Sequence, residues 1–150
     1  MRSRTLAREA ALKALYQLDL RSSVPDVELD ELLERECPHA EARQYARLLI
    51  KGTRANEKAI DEEIVQVAEN WDLARMAAID RNVLRMAIYE MIHREDIPVA
   101  VAINEGVTIA KKYSTKDSGG FVNGILDQVK NRLAARGALA AKVAATDESE

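Results

Sequence analysis

The chain has 150 residues, of which 47% are hydrophobic and 31% charged, and a formal net charge of −3. That balance excludes an intrinsically disordered chain and argues against a uniformly basic nucleic-acid binder. A single cysteine, Cys37, excludes an intrachain disulfide, and no apolar run approaches the roughly 18 residues of a membrane span, so a cytoplasmic location is expected.

The helical period recurs along the whole chain and predicts seven helical segments and no strand. The first runs from about Arg4 to Leu20, with Ala7, Ala10, Ala11, Ala14 and Leu18 on its inner face. Its small residues allow another helix to come close. Arg8, Glu9 and Lys13 interrupt any signal-peptide core. After the break at Ser22-Ser23-Val24-Pro25, a short helix from about Asp26 to Glu36 buries Leu29, Leu32 and Leu33, and Pro38 ends it.

A long third helix is expected from about Ala40 to Glu69, on a stripe of Ala42, Tyr45, Leu49, Gly52, Asn56, Ile60, Ile64 and Val67. Gly52 and Asn56 put a small and a polar residue on that seam, which weakens the case for a simple coiled coil. Trp71 and Leu73 begin a brief helical turn. The segment from about Ala78 to His93 is apolar on most sides, as a helix central to its domain would be.

Two amphipathic helices close the pattern. Pro98 opens the first, with Val99, Ile103, Val107 and Ala110 on one stripe and Lys111 and Lys112 at its negative end. Phe121, Ile125, Val129 and Leu133 line the second, preceded by Asp117 and Ser118, either of which can cap it. Gly124 in its interior suggests close backbone packing. Beyond Arg136 the chain is Ala-rich with an acidic end. The division expected is a domain over 1–135 and a flexible or frayed-helix tail over 136–150.

Charge is distributed unevenly. Through Arg21, five cations face two carboxylates; from Asp26 to Glu36, six carboxylates face only Arg35. A local phosphate-binding patch near the N-terminus is compatible with the acidic whole. Arg4 and Arg8 are one turn apart, in line with Leu12 and Tyr16, with Arg2 just upstream. From charge alone, this strip reads first as an ordinary solvated helix face, since charged faces are common.

Asn104, Glu105 and Asn123 stand among apolar residues in INEGVTIAKKYSTKDSGGFVNGILD. This string, with INE, AKKY and FVNGILD in order and spacing, closely resembles the C-terminal region of the NusB family of bacterial transcription antitermination factors. Ala7-Arg8-Glu9 with Ala14-Leu15-Tyr16-Gln17 resembles that family's opening helix, and DRNVLRMAIYE, Asp80 to Glu90, its central helix. The likeness extends from about Arg4 to about Leu133.

The resemblance implies an all-α fold of about seven helices in two three-helix bundles, with no enzymatic activity and no cofactor. It implies that Arg2, Arg4 and Arg8 bind boxA-like single-stranded RNA of ribosomal-RNA transcripts. It also implies that Tyr16, Asp80, Asp117 and Phe121 dock NusE, a small-subunit ribosomal protein, and that other antitermination factors link the complex to RNA polymerase. A homodimer, seen in some members, is a further expectation. Gly119-Gly120 departs from the bulkier or basic residues more usual in the family, which loosens the helix start and removes side-chain contacts at the edge of that docking surface.

Other readings of the motifs are weaker. The DSGG run imitates a serine-protease nucleophile, but an all-helical chain supplies no such barrels. Cys37-Pro38-His39 offers two potential metal ligands without a second pair. The surviving alternatives are a subunit of an RNA-modifying complex, since a NusB-like domain fronts certain ribosomal-RNA methyltransferases, and a helical homodimeric adaptor without RNA affinity.

Overall fold

The computed structural model describes residues 2–69 and 72–139. Within them the fold is all-α, with seven helices: α1 (Arg2–Leu20), α2 (Asp26–Glu36), α3 (Ala40–Ala55), α4 (Glu57–Val67), α5 (Ala78–His93), α6 (Val99–Tyr113) and α7 (Ser118–Ala135). A 3-10 turn at Leu73–Arg75 precedes α5. Trp71, expected to begin that turn, lies outside the described residues.

The expected single helix over Ala40–Glu69 is broken at Asn56. The Asn56 side-chain amide donates to the carbonyl of Gly52 at 2.8 Å, an acceptor its own backbone N–H also uses at 3.1 Å. Such local side-chain bonding competes with helical continuation, and Asn56 leaves helical geometry at φ −110, ψ 13. The apolar stripe nevertheless continues inward, since Leu49, Ile60 and Ile64 are all fully buried.

α5 is the axis. It packs against α1, α3, α4, α6 and α7, and Val83, Leu84, Met86, Ala87, Ile88 and Met91 are buried along it. Each large apolar side chain so removed from water contributes about 1.5–3 kcal/mol. α1 to α3 pack together on one side and α5 to α7 on the other, with α4 against α5 and α7. The Ala face of α1 is consumed inside the chain: Ala7, Ala10, Ala11 and Ala14 are inaccessible. It is therefore not available for a homodimer.

Two glycines behave differently from one another. A Cβ at Gly52 would overlap the ring of Tyr89, so α3 can lie against α5 only because that position is bare. Gly124 shows the reverse of the expected close packing: it is exposed, and a Cβ there would meet nothing within 4 Å. α7 ends where Gly137 takes φ +68. Gly137 N–H donates to Ala134 and Ala138 N–H to Leu133, a Schellman cap. Arg136 pairs with Glu63 at 2.7 Å, and Ala138 and Leu139 pack on the core, so the start of the expected tail is docked. Residues 140–150 lie outside the described part.

Candidate RNA and partner interfaces

The basic end of α1 divides into an inner and an outer layer. Arg8 is only 3% exposed. Its Nε donates to both carboxylate oxygens of Glu90 on α5 at 3.1 Å, and its Nη1 lies 3.5 Å from Glu105 on α6. The Tyr45 hydroxyl of α3 donates to the same Glu90 carboxylate. Burial works against a charged Arg8, but Glu90, then Tyr45 and Glu105, outweigh it and raise its pKa above the ordinary value. Burial, followed by the Glu90 charge, pushes the Tyr45 phenol far upward. Arg8 is thus a core cation, and the solvated-face reading of its position is corrected: the line Arg8 to Leu12 runs under α3 and α5.

Arg4 is in the outer layer. Its guanidinium lies over the Tyr45 ring, 4.0 Å from the centroid, and donates to Asp96 at 3.3 Å. Arg94, the C-cap of α5, donates to the same Asp96 oxygen at 3.1 Å. Arg2 begins α1, upstream of this group.

A second site forms where the N-termini of α5 and α7 meet. A pocket of about 240 Å³ is lined by Met76, Ala77, Asp80, Thr115, Asp117, Ser118 and Phe121. Three of the four positions matched to partner docking therefore share one surface. Asp80 is 8% exposed; its Oδ2 accepts from the Ser118 hydroxyl at 3.1 Å, while its buried Oδ1 has no hydrogen-bond partner. Ser118 Oγ also lies 3.0 Å from Ser114 Oγ and 3.1 Å from Thr115 Oγ1. A hydroxyl has one proton, and the carboxylate is its strongest acceptor here.

Asp117 stands exposed at the pocket rim, and Phe121 is half-buried beside it. Neither Asp117 nor Ser118 caps α7 in the expected way. Asp117 already has helical φ −82 and ψ −12, with no side-chain cap hydrogen bond, whereas a capping side chain normally reaches the first-turn amides from extended backbone. Gly119 packs against the Lys111 stem, and Gly120 faces open space. Tyr16 is half-buried on α1 and is not part of the pocket lining.

The sequence reading gave no site role to Glu90, Arg94 and Asp96, placed Tyr45 only on a core stripe and took Ser118 only as a cap. Glu90 offered a usable signal: a carboxylate on a helix apolar nearly all round requires a buried partner. The others come together only through contacts between distant segments. Among the described residues no cluster of three or more His, Cys, Asp or Glu side chains could hold a metal ion, and no helix is long and apolar enough to cross a membrane.

Comparison with known proteins matches this architecture and its motifs. Residues 5–131 match the NusB family. The transcription antitermination protein NusB of Symbiobacterium thermophilum is 44% identical, over 85% of this chain and 88% of the relative. The solved NusB of T. maritima superposes with a TM-score of 0.78 at 41% identity, covering 85% of this chain and 90% of that one. A chain in a crystal structure of the antitermination factors NusB and NusE in complex with dsRNA superposes with a TM-score of 0.78 at 28% identity, covering 88% and 98%. From opening helix to the α7 motif, this chain belongs to the NusB family of transcription antitermination proteins.

Proposed function

We propose that this protein pairs with NusE, binds boxA-like single-stranded RNA in nascent ribosomal-RNA transcripts, and acts in the cytoplasm to help RNA polymerase read through terminators with other antitermination factors. Residues 1–135 act as one RNA- and protein-binding domain, with 136–150 as an appendage. The observation that carries this reading is the shared pocket of Asp80, Asp117 and Phe121, with an unpaired buried carboxylate oxygen that a donor from a protein partner would satisfy. The related chain in the complex of NusB and NusE with dsRNA supports a protein partner and, as a class, RNA.

In this proposal Tyr16 borders the docking surface, and Arg2 and Arg4 contact RNA phosphates directly. Arg8 acts through the Tyr45–Glu90 group beneath Arg4. The mechanism is avidity: RNA and NusE bound to one surface each strengthen retention of the other. Binding of boxA and scrambled RNA, measured by titration with and without NusE, tests it. The expected result is preference for boxA and tighter RNA binding with NusE present. Equal binding of both RNAs and no NusE complex would leave the adaptor alternative in its place.

A further inference from the structure

We propose that Arg4 and Arg94 form a phosphate-binding site that Asp96 occupies in the free protein, so that docking RNA displaces this carboxylate with a backbone phosphate. The inference rests on the RNA-binding reading above and adds to it a second arginine, from outside the N-terminal strip, and a competing anion.

The geometry is that of a two-armed anion site. Arg4 lies on α1 and Arg94 follows α5, yet both guanidiniums converge on one oxygen, Asp96 Oδ2, at 3.3 and 3.1 Å. The two arginine side chains remain 33% and 24% exposed, and that of Asp96 is 41% exposed. A competing anion can reach them from solvent. A phosphodiester carries one charge and two non-bridging oxygens, so each guanidinium can have an acceptor of its own, where Asp96 shares one oxygen between both.

The arginines are held independently of Asp96. Arg4 lies 4.0 Å and Arg94 5.4 Å from the centroid of the Tyr45 ring. That ring is fixed from below by the hydrogen bond of its hydroxyl to Glu90, which Arg8 also binds. When Asp96 leaves, the two cations keep their aromatic support.

Charge sets the competition. Arg4, Arg8 and Arg94 each pair with a carboxylate of Glu90, Glu105 or Asp96, so an incoming phosphate meets cations that already have a counter-charge. Burial favours a neutral Asp96, but Arg94, then Arg4, outweigh it and hold its carboxyl below the usual pKa. It therefore stays ionised at neutral pH and occupies the site until displaced. Glu90 and Glu105 face Arg8 and remain in place.

The test is fluorescence anisotropy of labelled boxA RNA with the full chain, comparing wild type, Asp96→Asn, Arg94→Gln and the double variant. Asp127→Asn serves as a control that removes one exposed carboxylate on α7, paired there with Lys130. Asp96→Asn is expected to bind about three- to fivefold tighter, the factor equivalent to one exposed ion pair. Arg94→Gln should bind more weakly than wild type and abolish the gain in the double variant. Equal or weaker binding by Asp96→Asn, with melting temperature unchanged, overturns the proposal. So does an equal gain from Asp127→Asn, or a gain that survives loss of Arg94. Absence of RNA binding in every variant overturns the RNA-binding reading as well, a result distinct from wild-type binding that Asp96→Asn leaves unaltered.

Discussion

Arg8 and Glu90 form an ion pair inside the protein, 82 positions apart in sequence, with both carboxylate oxygens 3.1 Å from Arg8 Nε. The pair joins α1 to α5, and Tyr45 ties α3 to the same carboxylate. A charge at this depth is tolerated only with its partner present.

Arg8→Ala should therefore destabilise the protein by about 3–5 kcal/mol, because Glu90 is left charged and buried. Arg4→Ala, at a partly exposed pair, should cost less than about 1 kcal/mol. Urea denaturation separates the two, and RNA affinity is interpretable only for Arg4→Ala. Equal stability losses would contradict the two-layer arrangement.

Tyr45→Phe removes the hydroxyl donor to Glu90 while keeping the ring beneath Arg4. A loss of about 1.5–3 kcal/mol is expected, the net contribution of a hydrogen bond to a charged group, since Arg8 still binds the same carboxylate. Thermal melting followed by circular dichroism reads it.

Gly52→Ala and Gly124→Ala should have opposite signs. The first forces a methyl into the Tyr89 ring and should destabilise by about 1–3 kcal/mol despite alanine's better helix propensity. The second adds a methyl in open space and should stabilise by about 0.5–1 kcal/mol. Chemical denaturation of both variants checks the pair.

Asp19 makes acid stability predictable. Burial would raise its carboxyl, but hydrogen bonds from Arg81 and Asn82 and the charges of Arg81 and Arg85 lower its pKa below the ordinary value. The folded state then binds fewer protons than the unfolded state in the window between the lowered folded pKa and the ordinary carboxylate value. Its contribution is complete above the unfolded value and is lost as pH falls through the folded one. Asp19→Asn should lower stability at pH 7 and flatten the decline below pH 4. A parallel decline in the two proteins would contradict this.

At the partner pocket, Asp80→Asn should weaken NusE binding about tenfold, the loss of one charge-assisted hydrogen bond, with little change in fold. Asp117→Lys should also weaken it without loss of a helix cap, since Asp117 makes no side-chain cap bond. Phe121→Ala should cost affinity and less than the about 3–5 kcal/mol of a fully buried phenylalanine. Calorimetric binding and melting temperatures, measured together, distinguish these effects.

Periodicity along the chain determined the all-helical class, the bounds of α2 and α5, and the inner faces of α1, α6 and α7, because a helix registers its buried side every three to four residues. The strings around INE, AKKY and FVNGILD carried the family. Periodicity could not distinguish Arg4 from Arg8, one turn apart on α1. Which of them is covered depends on where α3, α5 and α6 cross, and those helices bring Tyr45, Glu90 and Glu105 from distant segments to Arg8. The break at Asn56 was hidden because the apolar stripe continues through it while the side chain diverts the Gly52 carbonyl. The pocket likewise arose only on folding, when Asp80 met Ser118 across 38 positions. A side chain's type and spacing set what it can do, but its solvent exposure and its partner belong to the helix that packs over it.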